Sequence, residues 1–597
     1  MEKKLELVNA IKKYKEGDIN GAINKFHILI KKYPRDKDIL YNYGIILGEI
    51  EEYEKEQKIY KTILKIDPSD VSTMVNLSVS LNSTKDFSEA IFYANKAINL
   101  NKQIYQAYEA RGIAKISIAE IDTGIEDLKK WVELILINNK TENIKSVLKD
   151  CIDLINIPAV YVNNMEVENV RIKIENKLEQ VLKKLSLLKE KDLAQDNIGK
   201  EIAFKLNFFY LGYQQKNDRK INEKYNTILT KLLNSDDRKI FYKNNGKKKL
   251  GIISTFQVHP KLFIFDQINE ISLYKYDIEI IIINNKSLDI KSLPSYKHQH
   301  LRLSAKNYDG IIEYLKLKNY DVAFFPDIGV SITSRILSAN RLAKVSLTSW
   351  LHPVTSGSKC IDIFLSGQLM EGSNPQDSYS EKLVTLPGIG LYINPLDYIS
   401  TSINEIECRE KSKKFRIGIL QTPFKIHPRM DALLIQLAKK IPNSEFIFIG
   451  LQKELDEKLI NRIRTSFKLA NIDNRKVHLI KRMKKGEYDN FLKSIDIAID
   501  TLGWSGGNTA LDAFGAALPV LTVEGDQMRA NHTAGLYKLI NLENFISSNE
   551  MKLVERAVIL YENYNYLIDQ KKLLLSKFSS LKTEKYFSVF FNTLLDA

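Results

Sequence analysis

Residues 495–515, IDIAIDTLGWSGGNTALDAFG, run from an apolar segment through Trp504, Ser505 and two adjacent glycines directly into a helical pattern. A plain strand-to-helix connection needs one or two turn residues. Gly506 and Gly507 followed at once by Asn508 and Thr509 instead bring bare backbone N–H groups and short polar side chains to a helix start, the arrangement that holds a phosphate. The stretch lacks the GxxxxGK[ST] spacing of a P-loop, and no GxGxxG opens a strand–helix unit, which disfavours an ATPase or an ordinary dinucleotide site. Asp512 lies one turn further on. A carboxylate there repels phosphate but accepts hydrogen bonds from ribose hydroxyls, so a nucleoside diphosphate satisfies both features. The alternative is a simple N-cap followed by an ordinary helix carboxylate.

Working outward, the segments FRIGILQ, SEFIFIG, VHLI, IDIAID and PVLTV alternate with helical stretches from residue 415 onward, the rhythm of a parallel sheet with its ligand loops at the strand carboxyl ends. In FRIGILQTPFKIHP, Thr422 and Lys425 fall in the loop after the first of these strands, where a lysine neutralises a departing diphosphate. RMKKGEYDNF sets Lys485 and Tyr488 at another helix start, a cation for a ribose and a ring for a base. A second series begins at KKKLGIISTFQVHP and continues through YDIEIIIINN, YDVAFFPD and AKVSLTSW. It places His259 and His352 in His-Pro loops at strand ends. Each histidine is either a satisfied polar residue or a cleft group, and their shared placement favours the cleft. Two doubly wound halves joined by a linker make the arrangement called GT-B.

The first 135 residues repeat with a period of 34: Ile19, Tyr53, Phe87 and Ile121; Ala22, Glu56, Ala90 and Gly124; Phe26, Tyr60, Ala94 and Leu128. Pro34 and Pro68 close the first two units. This pattern resembles the tetratricopeptide repeat, whose stacked helix pairs present a concave face to an extended peptide. Residues 136–247 keep a helical period without that register, which predicts a helical connector whose charges form a solvated face. Of 597 residues, 88 are Lys or Arg and 73 are Asp or Glu, a net charge of +15 spread through Lys-rich helices, so nucleic-acid binding has no aromatic–basic motif behind it. Cys151, Cys360 and Cys408 stand too far apart for a disulfide framework or paired metal-ligand spacing. With a charged amphipathic N-terminus and no apolar run of membrane-spanning length, the expected setting is cytoplasmic, without membrane insertion. His27, His298, His300, His478 and His532 show no metal-ligand spacing. The single DxD, Asp36 to Asp38, falls at a helix start within the repeats and is read as helix-start charge.

Taken together, SWLHPVTSGSKCIDIFLSG, SEKLVTLPG, LQTPFKIHP, IDIAIDTLGWSGGNTALDAFGAALPVLTVEGD and AGLYKLINL resemble the O-linked N-acetylglucosamine transferase and SPINDLY-like proteins, family 41 of the glycosyltransferases, which includes the bacterial N-glucosyltransferases. The resemblance spans about residues 248–580. It implies tetratricopeptide repeats (1–135), a connector (136–247) and GT-B halves on the acceptor side (248–405) and nucleotide-sugar side (406–597). The implied activity is inverting, metal-independent transfer of glucose or N-acetylglucosamine from a UDP-sugar to protein side chains, with no cofactor. By motif, Lys425 is similar to the diphosphate lysine, Asn508 and Thr509 to the phosphate-binding pair, Asp512 and Lys485 to the ribose pair, and His259 to a histidine beside sugar and acceptor. Tyr488 and Gly507 replace histidines of the animal members, and LHPVTSG is closer to the bacterial loop than to the animal one. A catalytically silent peptide scaffold that senses a nucleotide and a sugar-nucleotide epimerase are the competing readings.

Overall fold

The computed structural model of the protein describes residues 2–136, 142–188, 197–238, 246–255, 276–283, 297–408, 412, 414–582, 586 and 589–591. They fall into two compact units, Met1–Asn156 and Ile157–Ala597.

The first unit is a run of helix pairs: α1 (Glu2–Lys15), α2 (Ile19–Lys32), α3 (Lys37–Glu49), α4 (Tyr53–Ile66), α5 (Val71–Ser83), α6 (Phe87–Leu100), α7 (Tyr105–Ser117) and α8 (Ile121–Ile135), followed by α9 (Glu142–Asp153). The 34-residue columns are its packing contacts. A side chain at Gly44 would run into the Tyr60 ring, and one at Gly112 into the Gly124 carbonyl and Leu128. In the intervening repeat Ser78 takes the small-residue place and its hydroxyl donates to the Ala90 carbonyl at 2.8 Å. Glu56 occupies the column filled by Ala22, Ala90 and Gly124, is buried, and accepts from the Ser80 hydroxyl at 2.6 Å. The carboxylates of Asp18, Asp36, Asp70 and Asp86 accept from backbone N–H groups three residues on, each capping a helix. Asp36 of the DxD is one of these caps and also pairs with Lys3 at 2.5 Å. The unit runs past the repeat register to Asn156, because α9 packs on α8.

The second unit opens with α10 (Asn164–Ser186), α11 (Ile198–Ala203), a 3-10 helix (Phe209–Gln214) and α12 (Arg219–Leu233). Two sheets follow, and every recorded strand pair in them is parallel. The first contains β1 (Lys248–Ser254), β2 (Tyr276–Ile283), β3 (Lys297–Leu301), β4 (Tyr320–Phe325), β5 (Ala343–Ser349), β6 (Ile363–Gly367) and β7 (Lys382–Leu386), in the order β3-β2-β1-β4-β5-β6-β7, with α13 (Tyr308–Leu317) and α14 (Ile332–Ser338) among its connections. After α15 (Ile403–Glu407), the second sheet is built from β8 (Phe415–Ile419), β9 (Ser444–Ile449), β10 (Val477–Ile480), β11 (Ile497–Ile499), β12 (Val520–Val523) and β13 (Ile546–Ser547), ordered β10-β9-β8-β11-β12-β13. Its helices are α16 (Arg429–Lys440), α17 (Lys453–Leu469), α18 (Lys485–Ser494), α19 (Asn508–Gly515), α20 (His532–Leu539), α21 (Glu550–Glu562) and α22 (Tyr564–Ser579).

The central strands β4 and β11 are buried along their whole length, on both faces of their sheets, which is why their sequences are largely apolar. Phe591 returns to the first sheet, its ring 5.8 Å from Phe324 and its carbonyl accepting from the Tyr276 hydroxyl. The topology fixes where a ligand sits. Strand order reverses between β8 and β11, and the loops leaving those two strands, 420–428 and 500–507, flank the crevice of an open parallel sheet.

Candidate active site

The loop after β11 is held by one buried carboxylate. Asp500 accepts from the Ser505 hydroxyl at 2.6 Å, the Gly506 N–H at 2.9 Å and the Thr522 hydroxyl at 3.0 Å. Gly503 has φ +71°, the left-handed region that favours glycine, with Gln215 against its α-carbon. The adjacent glycines do different work. A β-carbon at Gly506 would meet the Gln421 amide at 2.5 Å and the Thr509 hydroxyl at 2.6 Å, whereas at Gly507 it would meet nothing within 4 Å. Gly506 is therefore demanded by packing, and Gly507 faces open space at the mouth of α19. The Asn508 and Thr509 N–H groups lie ahead of the first helical bond, which Ala510 donates to the Gly507 carbonyl at 3.0 Å, and the helix dipole favours an anion there. The buried Asn508 Oδ1 has no partner among the described residues.

Across this space stands Lys425 at the end of the β8 loop. Its ammonium donates to the Gln421 side-chain oxygen at 3.0 Å, and the Gln421 amide donates to the Thr509 hydroxyl, so lysine, glutamine and helix start form one chain. Desolvation lowers the Lys425 amine to about 8 against the opposing pull of Asp500. The lysine sits in a place built to gain from a bound anion.

Beside the cradle is a cavity of about 300 Å³ lined by Thr422, Gly450, Arg482, Lys485, Tyr488 and Asp512, among others. Lys485 donates to Asp512 at 3.1 Å and to Asp489 at 2.9 Å. Burial opposes the Lys485 ammonium, yet the hydrogen bond to Asp489 and the Asp512 charge carry it above its ordinary range; burial raises the Asp512 carboxyl against the pull of Lys485. The Tyr488 hydroxyl and the Thr422 hydroxyl are buried without partners among the described residues. Both lie in the first turn or loop at the carboxyl edge of the sheet, as the sequence places them. A larger groove of about 600 Å³ lies between Gln215 and Asn217 of the connector, Asp377 of the first sheet domain and Gly503 and Asp526 of the second. It includes none of Lys425, Asn508 or Asp512, whereas the smaller cavity is lined by Asp512, by Thr509 and by Gln421, the partner of Lys425.

From the first sheet domain comes His352, buried, with neither ring nitrogen partnered among the described residues. Burial, then Arg335, Arg529 and Lys425, push its basicity well below the usual histidine range. Its loop is rigid because Glu381 accepts from the Thr355 hydroxyl at 2.6 Å and the Ser356 N–H at 2.7 Å, while Arg335 donates to the Ser356 carbonyl at 2.6 Å. The TSG and SEK segments are thus two sides of one clasp. His259 lies outside the described residues.

The connector is helical, as its period predicts, through α10, α11 and α12, but it departs from its sequence reading at residues 209–214 and in its charges. In place of a helix with a solvated face, residues 209–214 form a 3-10 wedge between the halves: Tyr213 lies 4.1 Å from Trp504 and 4.8 Å from Phe424, and Phe209 lies 5.4 Å from His352 between ring centroids. Its key charges are buried, because Asp218 accepts from Arg171 and from Arg529 at 2.6 Å each. Periodicity overlooked this because the segment is short and aromatic; the density of rings in FFYLGY was the available signal. Asp500, Gln421 and His532 were also missed, since their roles depend on contacts between distant loops.

Helical repeats ahead of two parallel-sheet domains, with a glycine-to-helix loop and a cavity of about 300 Å³ where the strand order of the second sheet reverses, define a tetratricopeptide–GT-B architecture. Comparison with known proteins agrees with the motif resemblance to family 41. The chain is 21% identical over 343 residues, 56% of its length, to a UDP-glucose:protein N-beta-glucosyltransferase of Actinobacillus pleuropneumoniae serotype 5b (strain L20), covering 54% of that protein. It is 22% identical over 223 residues, 37% of its length, to a probable UDP-N-acetylglucosamine–peptide N-acetylglucosaminyltransferase SPINDLY of Solanum lycopersicum, covering 24% of it. The chain thus spans about half or less of the curated relatives it matches. A solved O-GlcNAc transferase of Thermobaculum terrenum, a point mutant, superposes over 100% of this chain and 96% of its own with a TM-score of 0.51 at 15% identity, which supports the fold. No protein-family model matches the chain.

Proposed function

We propose that the protein transfers a hexose or N-acetylhexosamine from a UDP-sugar to polypeptide side chains, with inversion and without a metal. The observation that carries this is the convergence of Lys425, the start of α19 and the Lys485–Asp512 cavity on one crevice. The cavity suits a nucleoside, with the ribose hydroxyls donating to Asp512 and Tyr488 beside the base. The diphosphate then falls between Lys425 and the N–H groups of α19. In the reaction the bond from the anomeric carbon to the β-phosphate oxygen breaks, and a bond from that carbon to an acceptor oxygen or nitrogen forms. The acceptor's proton leaves to a base, and negative charge grows on the departing UDP. Lys425 and the aligned N–H groups stabilise that charge more in the transition state than in the bound donor, so they raise the rate rather than merely tightening binding.

We infer that the repeats recruit the polypeptide. Ile45, Val79 and Ile113 recur at the 34-residue spacing on α3, α5 and α7 and are 36%, 50% and 36% exposed, an apolar ladder suited to an extended chain. The relatives' names, which give protein or peptide as acceptor, support this reading. No helix among the described residues is long and apolar enough to cross a membrane, and a cytoplasmic setting is part of the proposal. Incubation with radiolabelled UDP-glucose or UDP-N-acetylglucosamine and a lysate of the protein's own source tests it. Label on protein is expected; nucleotide binding without transfer favours a scaffold, and conversion of the free sugar nucleotide favours an epimerase.

A further inference from the structure

We propose that His532 reads the donor sugar, its Nε2 accepting a hydrogen bond from a hydroxyl of the hexose that UDP carries. The inference rests on the reading of the site as a UDP-sugar site and extends it to the sugar half of the ligand.

His532 is the first residue of α20 and is 4% exposed. One face of its ring stacks on Trp350 of the first sheet domain, centroids 5.0 Å apart at 29°. The Trp350 indole N–H is itself engaged, donating to the Ile389 carbonyl at 3.1 Å. A hydrogen bond joins the imidazole to the Ser505 backbone. Of its two ring nitrogens only Nε2 lacks a partner among the described residues. The next residue bolts the helix start to the glycine loop: the Thr533 N–H donates to the Ser505 hydroxyl at 2.8 Å, and the Thr533 hydroxyl donates to the Gly506 carbonyl at 3.2 Å.

Position decides what Nε2 can meet. The nucleoside cavity is lined from the β8, β9 and α18 side of the crevice and does not include His532. His532 approaches from the other side, after β12, on the far flank of the β8–β11 cradle. Thr533 ties the start of α20 to Ser505 and Gly506, Gly506 packs against Gln421, and Gln421 accepts from Lys425, so His532 and Lys425 share one neighbourhood. A ligand whose nucleoside fills the cavity and whose diphosphate lies at Lys425 directs its sugar toward His532 and His352. Burial, with Lys425 adding to it, depresses the imidazole to about 3, so it stays neutral at physiological pH and Nε2 keeps its lone pair. Such a buried, unpaired acceptor requires a donor, and a hexose offers several hydroxyls as candidates.

The test uses the full chain and calorimetric titration with UDP, UDP-glucose and UDP-N-acetylglucosamine. His532→Phe keeps the stack on Trp350 and removes the acceptor; His532→Gln restores a polar atom near the Nε2 position. His532→Phe is expected to leave the affinity for UDP within about twofold and to weaken the better sugar nucleotide about tenfold, with His532→Gln recovering most of the loss. Equal weakening of UDP and sugar nucleotide, or no change in either, overturns the role of His532 while leaving the UDP site standing. Failure of the unaltered protein to bind any of the three overturns the site reading and this inference together.

Discussion

If the Lys425 amine titrates near 8 in the free protein because its surroundings are desolvated, binding of a diphosphate must draw a proton onto it. The sign follows from linkage: the bound dianion favours the charged ammonium, so association takes up protons wherever the free lysine has lost them, and affinity falls as pH rises through that value. At pH 7 the free amine is about 90% charged and uptake is about 0.1 proton; at pH 9 it is about 10% charged and uptake approaches 0.9. Between those two pH values the affinity for UDP should drop about tenfold. An ordinary lysine near 10.4 gives almost no uptake at pH 9, and the phosphate's own second ionisation, near 6, is complete. The histidines beside the site are held neutral well below this range. Calorimetry of UDP binding at pH 9 in two buffers of different ionisation enthalpy measures the proton count directly. Uptake near zero at pH 9, or uptake that persists in Lys425→Ala, refutes the assignment of the diphosphate to this lysine.

Three further outcomes are expected. Lys425→Ala, purified and folded by circular dichroism, should lose roughly 3 kcal/mol of transition-state stabilisation, a fall of about 100-fold or more in kcat, as when one preorganised oxyanion donor is removed; a near-normal rate contradicts its role. Asp218→Asn leaves two buried guanidinium groups without their shared carboxylate and should cost about 3–5 kcal/mol in denaturant unfolding of the second unit; unchanged stability means the junction is held by the aromatic wedge instead. Replacing Ile45, Val79 and Ile113 together by aspartate should reduce labelling of polypeptide acceptor while leaving UDP affinity unaltered, and equal labelling removes the repeats from acceptor recruitment.

The parts legible in the sequence share one property: their signal is local. Period-34 columns, apolar strand runs and the glycine-to-helix transition each follow from neighbouring residues, and they were enough for the repeats, both parallel sheets and the helix start at Asn508. β3, with sequence KHQHL at the sheet edge, and two-residue β13 escaped notice because neither carries an apolar run. Asp500 reads as the last residue of a strand, yet it pins the whole glycine loop through contacts with Ser505, Gly506 and Thr522. Asp218 reads as a solvated connector charge because its partners are 47 residues before it and 311 after. His532 has no spacing pattern at all, since what makes it notable is the combination of Trp350, Ser505 and Lys425 around one ring. Position in a motif shows which backbone approaches a ligand; only the fold shows which side chains from other elements arrive with it.

The most direct test of the account is a crystal structure of the full chain with UDP. The account places the diphosphate between the Lys425 ammonium and the Asn508–Thr509 start of α19, the ribose at Asp512 and Lys485, and the base beside Tyr488. Density for UDP elsewhere, or a diphosphate that touches neither Lys425 nor the start of that helix, contradicts it.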